Sequence, residues 1–196
     1  MSAIELIKAI REKTGLPLSD INKAIVATDS QDESVIIDYL RKQGVLKSQS
    51  RSGRSTSNGR IFSYVHEGRI GVLLEILCET DFVARSQEFI NFGNDVCLHL
   101  AAYNPRFVSP ETVDSEFLAK ETEIALAQLA GEDKPENIKE KILEGKLNKI
   151  KEESSLLTQI FLKNSEITVG EALATVSQTT GEKLEIKRFT SFILNS

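Results

Sequence analysis

The sequence predicts an α+β fold in three parts: a three-helix bundle over residues 1–46, a linker over 47–60, and a core over 61–196 with helices packed on a small antiparallel sheet. Three observations lead there. Apolar residues recur every three or four positions up to Gly44, the composition then turns abruptly to Ser, Gly and Arg, and after Arg60 short branched and aromatic runs alternate with long helical periods. With 196 residues, 40% hydrophobic and 27% charged, the chain is long enough for a real core.

In the first helix Ile4, Ile7 and Ile10 recur at intervals of three before Thr14-Gly15, where glycine can take the left-handed conformation that ends a helix. The second follows Pro17 and Ser19 and places Leu18, Ile21, Ile25 and Thr28 on one side. A third begins after Asp29-Ser30, buries Val35, Ile36, Tyr39 and Leu40, and stops at Gly44. So small a bundle has a thin core and is expected to act as a tethered module.

Lys47 to Arg60 carries four bases, no acid and no large apolar side chain, which reads as a flexible tether with a reach of roughly 20 Å. A basic arm for nucleic acid is the other reading. The 22 acids against 14 bases over residues 61–196, and the lack of interleaved aromatics, argue against it.

The core opens with a β-hairpin: a strand Ile61–Val65, a turn at His66–Gly68, and a longer strand Ile70–Cys78 in which Gly71 marks a bulge or a close approach. A long helix is predicted over Val83–Tyr103, with Phe89, Phe92, Val96, Leu100 and Tyr103 on its buried face, halted by Asn104-Pro105. Two charged amphipathic helices follow. Asp114–Ala130 turns Phe117, Ile124 and Leu129 inward, and Pro135–Lys151 turns Ile138, Ile142, Leu147 and Ile150 inward. Leu156–Leu162 is irregular or extended, Thr168–Gln178 is helical, and a last strand Lys183–Leu194 rejoins the hairpin.

The chemistry the sequence omits narrows the function. A net charge of −5 disfavours a chain-wide phosphate-binding surface and favours a protein partner. The amino terminus is not a signal peptide, no segment has the roughly 18 uninterrupted apolar residues of a membrane span, and two cysteines do not make a disulfide framework, so a reducing cytoplasm or organelle interior is implied and a cytoplasmic protein is expected. Gly53 to Gly59-Arg60 has the wrong spacing for a P-loop. His66 and His99 join no metal-ligand cluster, and Cys78 and Cys97 sit in apolar runs where a thiol is inert. No metal, no cofactor, no catalytic residue and no enzymatic reaction is expected.

Cys78-Glu-Thr-Asp-Phe-Val-Ala-Arg-Ser86, between the long strand and the long helix, admits two readings. Thr80 or Asp81 caps the helix while Phe82, seven residues before Phe89, lies on its buried face. Alternatively, a carboxylate and a large ring at the tip of a strand-to-helix turn are offered to a partner as an anchor.

Glu79-Thr-Asp-Phe-Val-Ala-Arg85 resembles the signature stretch of the translation elongation factor Ts family, and the resemblance continues on both sides. Further matches in order are Ile7-Lys-x-x-Arg-Glu-Lys-Thr-Gly15, Ile37 to Gly44, Gly68 to Glu75, Ala101-Ala-Tyr-Asn-Pro105, Lys134 to Ile138, Leu156 to Phe161 and Arg188-Phe189. The resemblance implies a guanine-nucleotide exchange factor for elongation factor Tu, with a ubiquitin-associated-like first domain and a core that binds the partner and dimerises. It implies that Thr80, Asp81, Phe82 and Val83 disturb the partner's Mg2+ site, with Phe82 intruding between two helices of the G domain. Asn22 replaces the first of the family's paired lysines, Ile160 stands where proline is common, and one core is present where longer members carry two. The short form is expected to supply the second half through a homodimer. A rival reading makes the bundle an adaptor for ubiquitin-like or other peptides, with the core serving only dimerisation.

Overall fold

The computed structural model describes residues 3–14, 16, 18–50, 53–130 and 135–195. Helices α1 (Ala3–Thr14), α2 (Leu18–Thr28) and α3 (Glu33–Ser50) enclose Leu6, Ile10, Ile21, Ala24, Ile36 and Leu40. The fold class is the one the sequence predicts. Ile4 is exposed and Leu6 takes its place, because a true helical period of 3.6 carries the buried stripe from Ile10 back to Leu6. Val35 is likewise exposed, while Ile36 is sealed. Gly15 and Pro17, the expected stop and start signals, lie outside the described residues.

Helix α3 begins after Asp29-Ser30, as expected, with Asp32 as its cap: its Oδ1 accepts the Ser34 amide at 2.9 Å and the Ser34 hydroxyl at 2.7 Å. The expected stop at Gly44 is corrected, since the helix runs on to Ser50 and the first part of the predicted linker is helical. A single interior glycine costs a helix only about 1 kcal/mol, and Lys47 to Ser50 contain nothing that breaks one. The bundle is also seated on the core, by an Arg41–Glu166 ion pair at 3.4 Å and a Gln178 Nε2 to Asp20 Oδ2 hydrogen bond at 3.3 Å.

Strands β1 (Asn58–His66) and β2 (Ile70–Cys78) form the predicted hairpin, with β1 beginning earlier than Ile61. Glu67 and Gly68 turn it with φ of +48° and +67°, the mirror-image turn that matches strand twist. Gly71 pairs regularly with Val65 and meets no close neighbour, so it marks neither a bulge nor a close approach. The irregularity sits instead between Glu75 and Ile76, where the register against the last strand shifts.

The predicted long helix is two: α4 (Asp81–Ala84) and α5 (Gln87–Tyr103). Ser86, at φ −67° and ψ 149°, leaves the helical region and its side chain accepts the Phe89 amide, capping α5. Helices α6 (Ser115–Ala130) and α7 (Glu136–Ser154) form an antiparallel pair. Leu129 is buried, but Ile124 is 52% exposed and Ile138 is exposed too, so their inward placement is corrected. Leu156–Thr158 is a 3-10 turn, after which β3 (Ile160–Phe161) pairs with β4 (Asn164–Thr168) in a small second sheet that the sequence reading lacks.

Helix α8 (Val169–Thr180) starts at a reciprocal cap between Thr168 and Glu171 and ends at Gly181, whose φ is +77°. Strand β5 (Glu185–Ile193) then pairs antiparallel with β2, giving the order β1-β2-β5. On the inner face Phe62, Val72, Leu74 and Ile76 pack with Phe89, Val96 and Leu100 of α5. Tyr103, expected on that face, is exposed because α5 ends there. The outer face carries exposed Ile61, Val65, Leu73 and Phe192, and an Arg188–Glu75 ion pair at 2.6 Å.

His99 ties α5 to the segment around β3. Its Nδ1 accepts the Leu162 amide at 3.3 Å, which leaves Nε2–H to donate to Gln159 Oε1 at 2.9 Å. Burial holds its pKa below the ordinary imidazole value, against the opposing Gln159 bond. A depressed folded pKa means that stability is complete above the unfolded value of about 6.5 and is lost as pH falls through the folded one. The urea midpoint should therefore decline as pH drops below about 6.5, and His99→Gln should flatten that slope. An equal slope in both proteins would remove His99 as the cause.

Candidate functional site

Strand β2 delivers the chain to Cys78, which is fully buried, so the residues that follow emerge at the edge of the core. The Cys78 thiol donates to the Thr80 carbonyl at 3.1 Å, and Asn58 Nδ2 donates to the Glu79 carbonyl at 2.8 Å. Thr80 then caps α4, its hydroxyl oxygen accepting the Val83 amide at 3.4 Å. One helical turn follows and closes through Ala84 N–H to Thr80 O and Ser86 N–H to Val83 O.

That turn has two sides. Ala84 is buried and Val83 packs half-buried against the core, whereas Asp81 and Phe82 face solvent. Phe82 is 82% exposed, the most exposed of the chain's large apolar side chains among the described residues. The reading that puts Phe82 on the buried face of the helix is therefore corrected, although Thr80 does cap. Spacing to Phe89 implied one only if the helix were continuous, and Ser86 breaks it. Asp81 pairs with Arg85 at 3.1 Å on the same exposed surface.

The four sequence-predicted residues thus share one turn, in which Thr80 and Val83 hold and Asp81 and Phe82 are presented. Sequence reasoning missed what surrounds them. Glu182, from the loop after α8, accepts both the Glu79 and Thr80 amides at 3.1 Å and the Thr80 hydroxyl at 2.5 Å. Glu79 in return accepts the Lys183 amide at 2.6 Å and the Arg54 guanidinium at 3.2 Å. Gly181 hinted at a loop here, but nothing local says which loop it meets. Arg54 lies in the segment that the sequence predicts to be a tether.

The thiols remain unsuited to chemistry. Burial pushes Cys78 up to about 11 and Cys97 up to about 12, so neither supplies thiolate near neutrality. Among the described residues no group of three or more His, Cys, Asp or Glu side chains could hold a metal ion, and no helix is long and apolar enough to cross a membrane.

Fold and turn define the class first: an α+β protein with a three-helix amino-terminal bundle that presents an acidic residue and a bare aromatic ring at a strand-to-helix turn. A family model described as "Elongation factor TS" matches residues 20–196. A relative from Solidesulfovibrio magneticus, named "Elongation factor Ts", is 43% identical over 197 residues, covering 99% of this chain and 98% of its own. One of the same name from Desulfosudis oleivorans is 42% identical over 190 residues, with 96% of both covered. Another, from Alkaliphilus oremlandii, is 42% identical over 187 residues, covering 95% of this chain and 86% of its own. The chain belongs to the elongation factor Ts family.

Proposed function

We propose that this protein is the guanine-nucleotide exchange factor of elongation factor Tu and that the Thr80–Val83 turn is its working part. The observation that carries the reading is a large ring left bare at the tip of a capped turn in a member of this family. An isolated exposed phenylalanine gains nothing for its own fold, whereas an aromatic anchor entering a partner's pocket gains much. Nucleotide and exchange factor weaken each other's binding by one factor, so a protein that speeds GDP departure must bind the empty GTPase more tightly than the loaded one.

Phe82 does this by wedging between two packed helices of the partner, since packed interfaces shift between discrete arrangements. Displacement of Mg2+ leaves the diphosphate charge less neutralised, and the nucleotide leaves faster. Asp81 and its Arg85 partner flank the wedge, while Thr80 and Val83 hold the turn. The protein makes and breaks no covalent bond. Stopped-flow release of a fluorescent GDP analogue from elongation factor Tu tests the reading: release should accelerate on adding this protein, and an unchanged rate would end it.

The outer face of the sheet supports a homodimer. Ile61, Val65, Leu73 and Phe192 are exposed together on it, an apolar patch of the kind that marks interfaces. A two-fold axis through that face would bury it against itself. Sedimentation should give twice the chain mass, and Leu73→Lys should shift it to the monomer; a monomer before substitution would refute the dimer. The protein is proposed to work in the cytoplasm.

A further inference from the structure

We propose that Glu182 is the positioning residue of the aromatic turn, an inference that rests on the reading of that turn given above. Three donors from two consecutive residues, the Glu79 and Thr80 amides and the Thr80 hydroxyl, converge on its one carboxylate. These are the last two residues before α4, so their orientation sets the direction in which the helix leaves the sheet. A helix of one turn cannot hold a direction by itself, because its few hydrogen bonds do not offset the cost of nucleation.

The loop that carries Glu182 is fixed in turn. Gly181 closes α8 with a left-handed φ, the buried Ser177 hydroxyl donates to the Glu182 carbonyl at 2.5 Å, and the Lys183 amide donates to Glu79 Oε1 at 2.6 Å. Two loops about a hundred residues apart therefore exchange carboxylates: Glu182 reaches one and Glu79 reaches back. This bracket is not needed to close the sheet, since β2 and β5 already pair as far as Leu77 and Glu185. What it adds is a fixed geometry at residues 79 and 80.

A wedge benefits from that. A ring that must enter a packed interior yields more of its binding energy when its direction is settled beforehand, since less freedom is lost at contact. The carboxylate of Glu182 bonds residues 79 and 80 and acts through the backbone that aims Phe82.

The test compares full-length Glu182→Ala, Glu182→Gln and Phe82→Ala by the saturating rate of fluorescent GDP release from elongation factor Tu, together with amide hydrogen exchange at Thr80. Glu182→Ala should lower the saturating rate by roughly ten- to a hundredfold, the loss expected from a small misplacement, with little change in the half-saturating concentration. Thr80 exchange should accelerate in the same variant. Glu182→Gln, which keeps the length and an accepting oxygen, should restore most of the rate.

A folded Glu182→Ala as fast as the unaltered protein, beside a slow Phe82→Ala, overturns the positioning role alone. A loss seen only in half-saturation, or one that merely follows the unfolded fraction in a melt, also overturns it. If Phe82→Ala itself is fast, the reading of the turn has failed and Glu182's role falls with it. Should Glu182→Ala not fold, Glu182→Asp replaces it. Its carboxylate is one methylene too short to serve both amides, so it must be slower than Glu182→Gln, and an equal or faster rate sinks the proposal.

Discussion

Phe82→Ala is expected to slow GDP release from elongation factor Tu by about thirtyfold or more, because truncating a central aromatic anchor typically costs about 2 kcal/mol or above. Its melting temperature should barely move. The ring is 82% exposed, and surface substitutions away from caps and cores usually stay within about 0.5 kcal/mol. This dissociation of function from stability is the decisive feature. A drop of many degrees with unchanged exchange would show a side chain that serves the fold. Phe82→Leu should fall between the two, since it keeps apolar bulk but loses the flat shape that slides between helices. The chain has no tryptophan, so Phe82→Trp adds a single indole whose emission should shift to the blue on binding the GTPase.

The turn was legible in the sequence as a place, and its geometry was not. Thr80 as a cap follows from its residue type, and the four candidate residues do fall in one turn. Phe82's direction depended on whether the helix continued through Arg85-Ser86, and the spacing to Phe89 pointed the wrong way. Serine is a residue type that caps helices, so Ser86 was a signal the sequence reading left unused beside the strong apolar period of α5. Glu182 was out of reach altogether. Its partners lie about a hundred residues earlier, and a glutamate in a polar loop looks the same whether it is solvated or bracing another loop.

Elsewhere the split follows the same physics. Strands β1 and β2 were legible because two runs rich in branched, aromatic and other apolar residues flank a turn, and β5 because a terminal run of the same kind could rejoin the hairpin. The two-residue strand β3 was not, since Ile160-Phe161 carries no period of its own and pairs only because the chain doubles back at once into β4. Ile124 misled because α6 packs chiefly on α7, so its inward stripe is narrower than its apolar content.

Gly93→Ala should destabilise the protein although it adds a single methyl group. Gly93 lies buried in α5 directly beneath the ring of Phe62, and a β-carbon built there collides with that ring. Phe62 cannot yield easily: it is buried in β1 and tilted against Phe89 with centroids 5.7 Å apart. Alanine gains about 1 kcal/mol in helix propensity over glycine, which alone would stabilise α5. Overpacking a close-packed site costs about 1–3 kcal/mol, and a rigid ring pinned by a sheet places this one at the upper end. The net loss should be about 1–2 kcal/mol, or roughly 2–8 °C in melting temperature for a chain of this size. Phe62→Leu in the Gly93→Ala background should recover part of the loss although Phe62→Leu alone destabilises, a non-additivity that locates the collision between these two side chains. Strict additivity, or an alanine variant as stable as the parent, would mean that α5 and β1 separate enough to admit the methyl group.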